Sequence, residues 1–332
     1  MARMKIAILG ATGLIGRELI RLLEDHTICA GDPALLASTI SEGELIPFKN
    51  DEIQIKTVQG FDFSSVELVF CALPKEAAKT AIESAVKAGC KVIDLSGTTR
   101  QTNALPIIPE LNASALKKVS SEGGAIYSPE PAAIQLTLVL KALESSVHVK
   151  DIQTTVLYGT GRGGVKAMDE LYNQSIGLVG GAGAEEMTGN LFPTQIAFNC
   201  IPMVGADEDG INTSVESAVR KDVQAFAGVE PLVTAITIPS FVGCSQSVVL
   251  KTDKHLLPQD VRNLLESGSG ICVIDDIGKG EVSTPFGSAE TDPIYVSRIR
   301  TGKDSIQLWI SSDTLRKGSA LNALQIAEAL AA

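Results

Sequence analysis

The chain opens with an apolar run from Lys5 to Leu9 that stops at Gly10, and Leu19, Ile20, Leu22 and Leu23 then recur at helical spacing. An unbroken apolar run bounded by glycine predicts a central parallel strand, and the spacing after it predicts an amphipathic helix. Further strands are predicted at residues 66–72 and 91–95, with a helix over residues 76–88 between them. This alternation through the first 130 residues predicts a doubly wound parallel sheet.

From about Asp151 the pattern changes. Strand-like runs at residues 152–157, 232–238, 247–251, 294–299 and 306–310 follow with fewer intervening helices, which predicts an α+β region with a mostly antiparallel sheet. Residues 315–332 read as a helix, with Leu321, Leu324, Ala327 and Leu330 on one face. The glycine-rich stretch from Gly177 to Gly189 reads as a loop, either mobile or in a dimer contact. The fold class is therefore α/β: a Rossmann-type nucleotide-binding domain (residues 1–130 and 315–332) plus an α+β substrate or dimerisation domain (residues 131–314).

Composition narrows the function. The length of 332 residues with 45% apolar content suits two domains, and a net charge of −11 with a pI near 4.9 argues against nucleic acid or anionic membrane as partners. No run approaches the length of a membrane span, and the first residues enter a strand directly, without a signal peptide. The six cysteines have no Cys-x-x-Cys spacing and only three histidines accompany them, which fits reduced, buried thiols in a cytoplasmic protein and no metal site.

Gly10, Thr12, Gly13, Leu14, Ile15 and Gly16 form a glycine turn between the first strand and its helix, the context in which a dinucleotide pyrophosphate is held on a helix N-terminus. The alternative is a turn retained for packing. At the end of the next strand, where the ribose is read, stand Ser38 and Thr39, with no Asp or Glu for a 2′-hydroxyl. No Arg or Lys occurs between Arg21 and Lys49 to meet a 2′-phosphate. NAD or NADP is the expected cofactor, leaning to NAD.

The segment Tyr127-Ser128-Pro129-Glu130-Pro131-Ala132-Ala133-Ile134-Gln135 reads as a strand end turning into a helix. It resembles the Asn-Pro-Asn-Cys-Ser-Thr-Ile-Gln signature of the aspartate-semialdehyde dehydrogenase family. The resemblance covers almost the whole chain: the glycine turn; Val92 to Gly97 leading to Arg100; Ile108 to Asn112; Gln195 to Pro202; and Asp313 to Glu328. It implies a two-domain homodimer with its last helix on the nucleotide domain. It also implies lost chemistry, as in the Usg-type branch that lacks the nucleophile. Pro131 replaces the cysteine, Tyr158 a substrate-binding glutamine, Thr237 the carboxylate-binding arginine, Cys244 the acid/base histidine, and Thr314 an asparagine beside the nicotinamide. Leu73-Pro74 stands for a glycine pair. Arg100 and Gln135 remain as candidate substrate or anion contacts, Arg100 standing equally well as an ordinary salt bridge.

Proline brings neither a thiol nor a backbone N–H, yet suits the first helical turn, so the fold survives a change that removes the chemistry. Losing the nucleophile of a covalent mechanism costs on the order of 10⁴–10⁶ in rate. Two functions compete. One is a non-catalytic binding or regulatory homologue that keeps the dimer, a nucleotide site and a possible protein partner. The other is an active oxidoreductase on a less charged aldehyde or acyl substrate, through Cys244 or by direct hydride transfer. The related acyl-phosphate reductases share Ala72-Leu73-Pro74 but also need the missing cysteine. Cys244 reads as a buried thiol filling the volume of an imidazole, Phe198 and Cys200 as packing residues, and Glu130 as a base or as a complement to the helix dipole.

Overall fold

The computed structural model describes residues 2–102, 104–119, 123–181 and 191–332. They divide into two compact units, Met1–Pro129 with Ser319–Ala332, and Glu130–Gly318.

In the first unit, strands β1 (Ile6–Leu9), β2 (Ala34–Ala37), β5 (Lys56–Thr57), β6 (Leu68–Cys71), β7 (Lys91–Asp94), β8 (Leu105–Pro106) and β9 (Gly124–Tyr127) form a sheet in the order β5-β2-β1-β6-β7-β9-β8. Every neighbouring pair in it is parallel. A hairpin of β3 (Leu45–Phe48) and β4 (Asp51–Gln54) stands beside it as a separate two-stranded sheet. Strand alternation splits the core in two. Ile6, Ile8, Leu68 and Phe70 pack with α1 (Leu14–Glu24) and the C-terminal helix Leu321–Ala331. Ala7, Leu9, Val69 and Cys71 pack with α2 (Lys75–Lys87) on the other face. Burial on both faces is why these strands read as continuous apolar runs. A short helix, α3 (Pro109–Asn112), also packs on the C-terminal helix.

The second unit contains α4 (Pro131–Leu143), β10 (Val149–Tyr158), α5 (Val165–Val179), α6 (Ser214–Ala227), β11 (Leu232–Thr237), β12 (Cys244–Thr252), α7 (Pro258–Glu266), β13 (Ile271–Val273), β14 (Asp275–Asp276), β15 (Glu281–Val282), β16 (Ile294–Thr301) and β17 (Ser305–Ser312). Its main sheet runs β11-β10-β12-β17-β16-β13. The three central pairings are antiparallel and the two edge pairings parallel. Helix α4 packs against α6, α7, β12 and β17, and ten of its residues are buried, so its composition is apolar nearly all round.

Four expectations need correction. The terminal helix does not run unbroken from Leu315: Arg316–Ala320 form a wider π-type turn, with Gly318 N–H donating to the carbonyl of Asp313, and the regular helix begins at Leu321. Gly177 lies inside α5, not in a loop, and Gly180 and Gly181 close that helix. Gly183 and Gly189 lie outside the described residues. Phe198 is not core but 71% exposed, at a φ of +57°. The Gln174 amide oxygen accepts from the N–H groups of both Ile196 and Ala197, which buries those two side chains with Leu171 and Ile201 and turns Phe198 outward. Cys200 is likewise exposed, Ile201 having taken the inward position.

Candidate functional site

The glycine turn sits where β1 meets α1 in the first unit. Gly10 adopts a φ of +83°, and the N–H groups of Gly10 and Ala11 both donate to the carbonyl of Leu36, which ties the turn to β2. A Cβ on Gly10 would lie 2.6 Å from the carbonyl oxygen of Ala72, and one on Gly16 only 2.2 Å from that of Gly10. Both positions therefore require glycine. No side chain caps α1 at Gly13, which leaves the first-turn N–H groups at Leu14, Ile15 and Gly16 without a capping side chain. That arrangement fits a pyrophosphate on the helix N-terminus, with Thr12 in the turn itself. Ser38 and Thr39 follow β2 directly and are exposed. Arg100 lies on the same unit, its guanidinium 5.3 Å above the ring of Tyr127 and packed so closely over Gly97 that a Cβ there would meet Nη1 at 2.4 Å.

The second unit gathers residues that are far apart in sequence. Thr237 pairs with Tyr158, Tyr158 with Cys244, and Cys244 with Ser312, so these four form one row across β11, β10, β12 and β17. With strands about 4.8 Å apart the row spans about 14 Å. All four are buried. Three of them are the positions at which the resemblance expects arginine, glutamine and histidine. Thr237 Oγ1 donates to the carbonyl of Met203. Beneath the row, Gln135 Nε2 donates to Ser312 Oγ (2.7 Å), and Gln246 Nε2 donates to Gln135 Oε1 (2.8 Å) and to the Ala132 carbonyl (2.9 Å). Gln135 is thus satisfied inside the unit by a buried amide network.

Glu130 is the centre of the site. It precedes Pro131, the first residue of α4, and its backbone N–H donates to Asp222 Oδ2 on α6 at 2.7 Å. Its side chain does not cap the helix. Instead Tyr158 Oη donates to Glu130 Oε1 (3.0 Å), and Arg162 Nη2 lies 3.1 Å from the carboxylate oxygens. The Arg162 guanidinium also stacks 5.4 Å over the Tyr158 ring. The Glu130 side chain is 7% exposed and that of Arg162 33%. Neither sequence reading of Glu130 anticipated this ion pair. Burial, then the negative charge of Glu130, holds the Tyr158 phenol well above its usual range.

The same environment defines Cys244. Burial pushes its thiol far up, outweighing the hydrogen bond from Gln135. A fully buried neutral thiol is a poor nucleophile. Pro131 stands where a nucleophile would head α4, its ring against Gly318, whose Cβ if present would meet Pro131 Cβ at 2.9 Å. Thr314 follows β17 by two residues.

Arg162 and Asp222 were not anticipated. Arg162 follows β10 in the glycine-rich run Gly159-Thr160-Gly161-Arg162-Gly163-Gly164. Gly159, Thr160 and Gly161 donate to the carbonyls of Gly243, Ser240 and Phe241, an approach too close for any Cβ at Gly159 or Gly161. A lone cation in such a run was the available signal. For Asp222 the signal was a carboxylate on the apolar stripe of α6, in line with Val215, Ala218, Val219 and Val223.

Among the described residues no cluster of His, Cys, Asp and Glu suits a metal ion, and no helix is long and apolar enough to cross a membrane.

Residues 5–119 match the family model described as semialdehyde dehydrogenase, NAD binding domain, and residues 140–317 match semialdehyde dehydrogenase, dimerisation domain. An aspartate-semialdehyde dehydrogenase of Rickettsia bellii is 34% identical over 332 residues, which cover 98% of this chain and 97% of the relative. A USG-1 protein homolog of Pseudomonas aeruginosa is also 34% identical, with the same coverage. Among solved structures, that of a probable aspartate-semialdehyde dehydrogenase from Pseudomonas aeruginosa is similar with a TM-score of 0.92 at 33% identity, covering 98% of both chains.

Proposed function

This chain belongs to the semialdehyde dehydrogenase family, and on that premise we propose that it is a homodimeric, nicotinamide-dinucleotide-binding member that does not run the thiol-dependent reaction. The carrying observation is the head of α4. Pro131 occupies it, none of the six cysteines stands there, and the carboxylate of the preceding Glu130 is taken up by Arg162 and Tyr158. Acyl transfer to sulfur requires an accessible thiolate, and Cys244 is buried and strongly disfavoured as an anion. The protein acts by binding, as a regulator or partner subunit.

Gly10, Gly13 and Gly16 give the pyrophosphate close access to the backbone, Thr12, Leu14 and Ile15 complete the turn, and Ser38 and Thr39 meet the adenosine ribose. NAD is favoured over NADP, since no cation of residues 22–48 accompanies Ser38. Arg100 serves as an anion contact, and Thr314 stands where the family holds the nicotinamide. Gln135 positions buried neighbours and does not touch a ligand directly.

The competing reading is direct hydride transfer to an uncharged carbonyl compound, which the neutral side chains of Thr237 and Tyr158 favour over a carboxylate substrate. Titration of the purified protein with NAD and NADP by calorimetry, beside assays of phosphate-dependent aspartate-semialdehyde oxidation and of NADH-dependent reduction of uncharged aldehydes, separates these. Micromolar NAD binding without turnover is the expected result. Turnover at ordinary dehydrogenase rates overturns the proposal, and no binding at millimolar cofactor removes its nucleotide half.

A further inference from the structure

Glu130 is held as a ligand is held. Its backbone is fixed by Pro129 before it, Pro131 after it and the hydrogen bond to Asp222. Its carboxylate meets a phenol hydroxyl on one oxygen and a guanidinium nitrogen spanning both, with the same guanidinium stacked on the phenol ring. Hydroxyl and guanidinium donors converging on one buried carboxylate, the guanidinium itself reaching solvent, are the donor set of a carboxylic-acid binding site. Here the acid is supplied by the chain itself. Tyr158 ends β10 and Arg162 lies in the glycine run laddered onto Ser240–Gly243, so the donors are set by the sheet and do not depend on Glu130 for their placement.

We propose that Glu130 is a tethered carboxylate occupying an acid-binding site built by Tyr158 and Arg162, and that this internal anion excludes carboxylate- and phosphate-bearing molecules from it. The effect is one of charge and of occupancy. A second anion brought beside Glu130 meets like-charge repulsion in a poorly solvated setting, and finds the Tyr158 hydroxyl and the facing guanidinium edge already engaged. The ligand class tolerated next to Glu130 is therefore uncharged or cationic. This goes beyond the proposed function: it concerns the second unit alone and requires neither cofactor nor turnover.

Replacing Glu130 by alanine removes the tethered acid and leaves a space that acetate or formate fits. The test is thermal melting of the full chain in increasing sodium acetate against sodium chloride at equal ionic strength, for wild type, Glu130→Ala, and Glu130→Ala combined with Arg162→Met. The expected result is a saturable rise in Tm for Glu130→Ala with a midpoint in the millimolar range. Wild type and the double variant should respond at least about 10- to 100-fold more weakly, the loss of a charge-assisted contact. Glu130→Ser, which also removes the acid, carries the same test if the alanine variant folds poorly, read as acetate-dependent refolding yield. Acetate independence of both variants, or an equal response in wild type, overturns the proposal. The readout is binding, so a failure here is distinct from a finding of thiol-dependent turnover.

Discussion

Replacing Tyr158 by phenylalanine removes one hydroxyl and little volume, and its cost follows from what the hydroxyl holds. It donates to Glu130 at 3.0 Å from a fully buried site, to a carboxylate that has 7% exposure and little water to turn to. Hydrogen bonds to buried charged groups contribute about 1.5–3 kcal/mol. Arg162 still faces the carboxylate at 3.1 Å and still stacks on the ring, so the lower half of that range applies, about 2 kcal/mol. For a cooperative unit of this size that lowers Tm by about 4–8 °C, or the urea midpoint by about 1 M. The assay is selective, because the single tryptophan, Trp309, lies on β17 of the same unit, with Nε1 donating to the Ser283 carbonyl and Ser311 Oγ. Urea melts followed by its fluorescence therefore report the unit containing Glu130. Tyr172→Phe, on an exposed face of α5, is the control and should shift stability by less than about 0.5 kcal/mol. A Tyr158→Phe melt within about 0.5 kcal/mol of wild type would refute the reasoning: the carboxylate would then not depend on the phenol. A double-mutant cycle with Arg162→Met should give a coupling of about 0.5–3 kcal/mol.

Other outcomes follow from the same geometry. Thiol labelling of the native protein at pH 8 should modify Cys200 first and Cys272 more slowly, while Cys29, Cys71, Cys90 and Cys244 react only in denaturant; prompt labelling of Cys244, read by peptide mass, would revive it as a nucleophile. Burial raises the Cys29 thiol to about 11 and Cys71 to about 12, from a usual value near 9. The neutral thiols thus stabilise the fold fully below pH 9, and this is lost as the pH rises through the folded values, so the unfolding free energy from urea melts should fall between pH 9 and about 11 for Cys29, and between pH 9 and about 12 for Cys71, by up to about 1.4 kcal/mol per pH unit for each thiol. Restoring the thiol by Pro131→Cys should leave turnover at least about 10⁴-fold below ordinary dehydrogenase rates, since Thr237, Tyr158 and Cys244 still stand where the resemblance expects the substrate and base side chains; recovery of near-normal rates would show that the proline alone silences the site. Gly16→Ala places a methyl 2.2 Å from the Gly10 carbonyl and should cost about 1–3 kcal/mol together with most of the affinity for NAD in calorimetry.

Much of this protein was legible from residue order alone. Strands buried on both faces announce themselves as apolar runs, so β1, β6 and β7 appeared within a residue or two of their ends. The glycine turn was equally plain, because a φ of +83° at Gly10 and an approach that leaves no space for a Cβ at Gly16 admit one residue type. The absence of a cysteine at Pro131 is a local fact, and no tertiary contact is needed to see it. The sequence did not reveal the consequence for its neighbours. Tyr158, Thr237, Cys244 and Ser312 become one row only through the register of four strands, and hydrogen-bond register is a property of pairing, not of any strand alone. Phe198 looked like core by its type, yet two backbone bonds to Gln174 turn it into solvent. Glu130, Tyr158 and Arg162 meet because α4, β10 and the following glycine run converge on one point. A carboxylate's role depends on which charges face it across the fold, and that information is non-local: it existed only once the chain had packed.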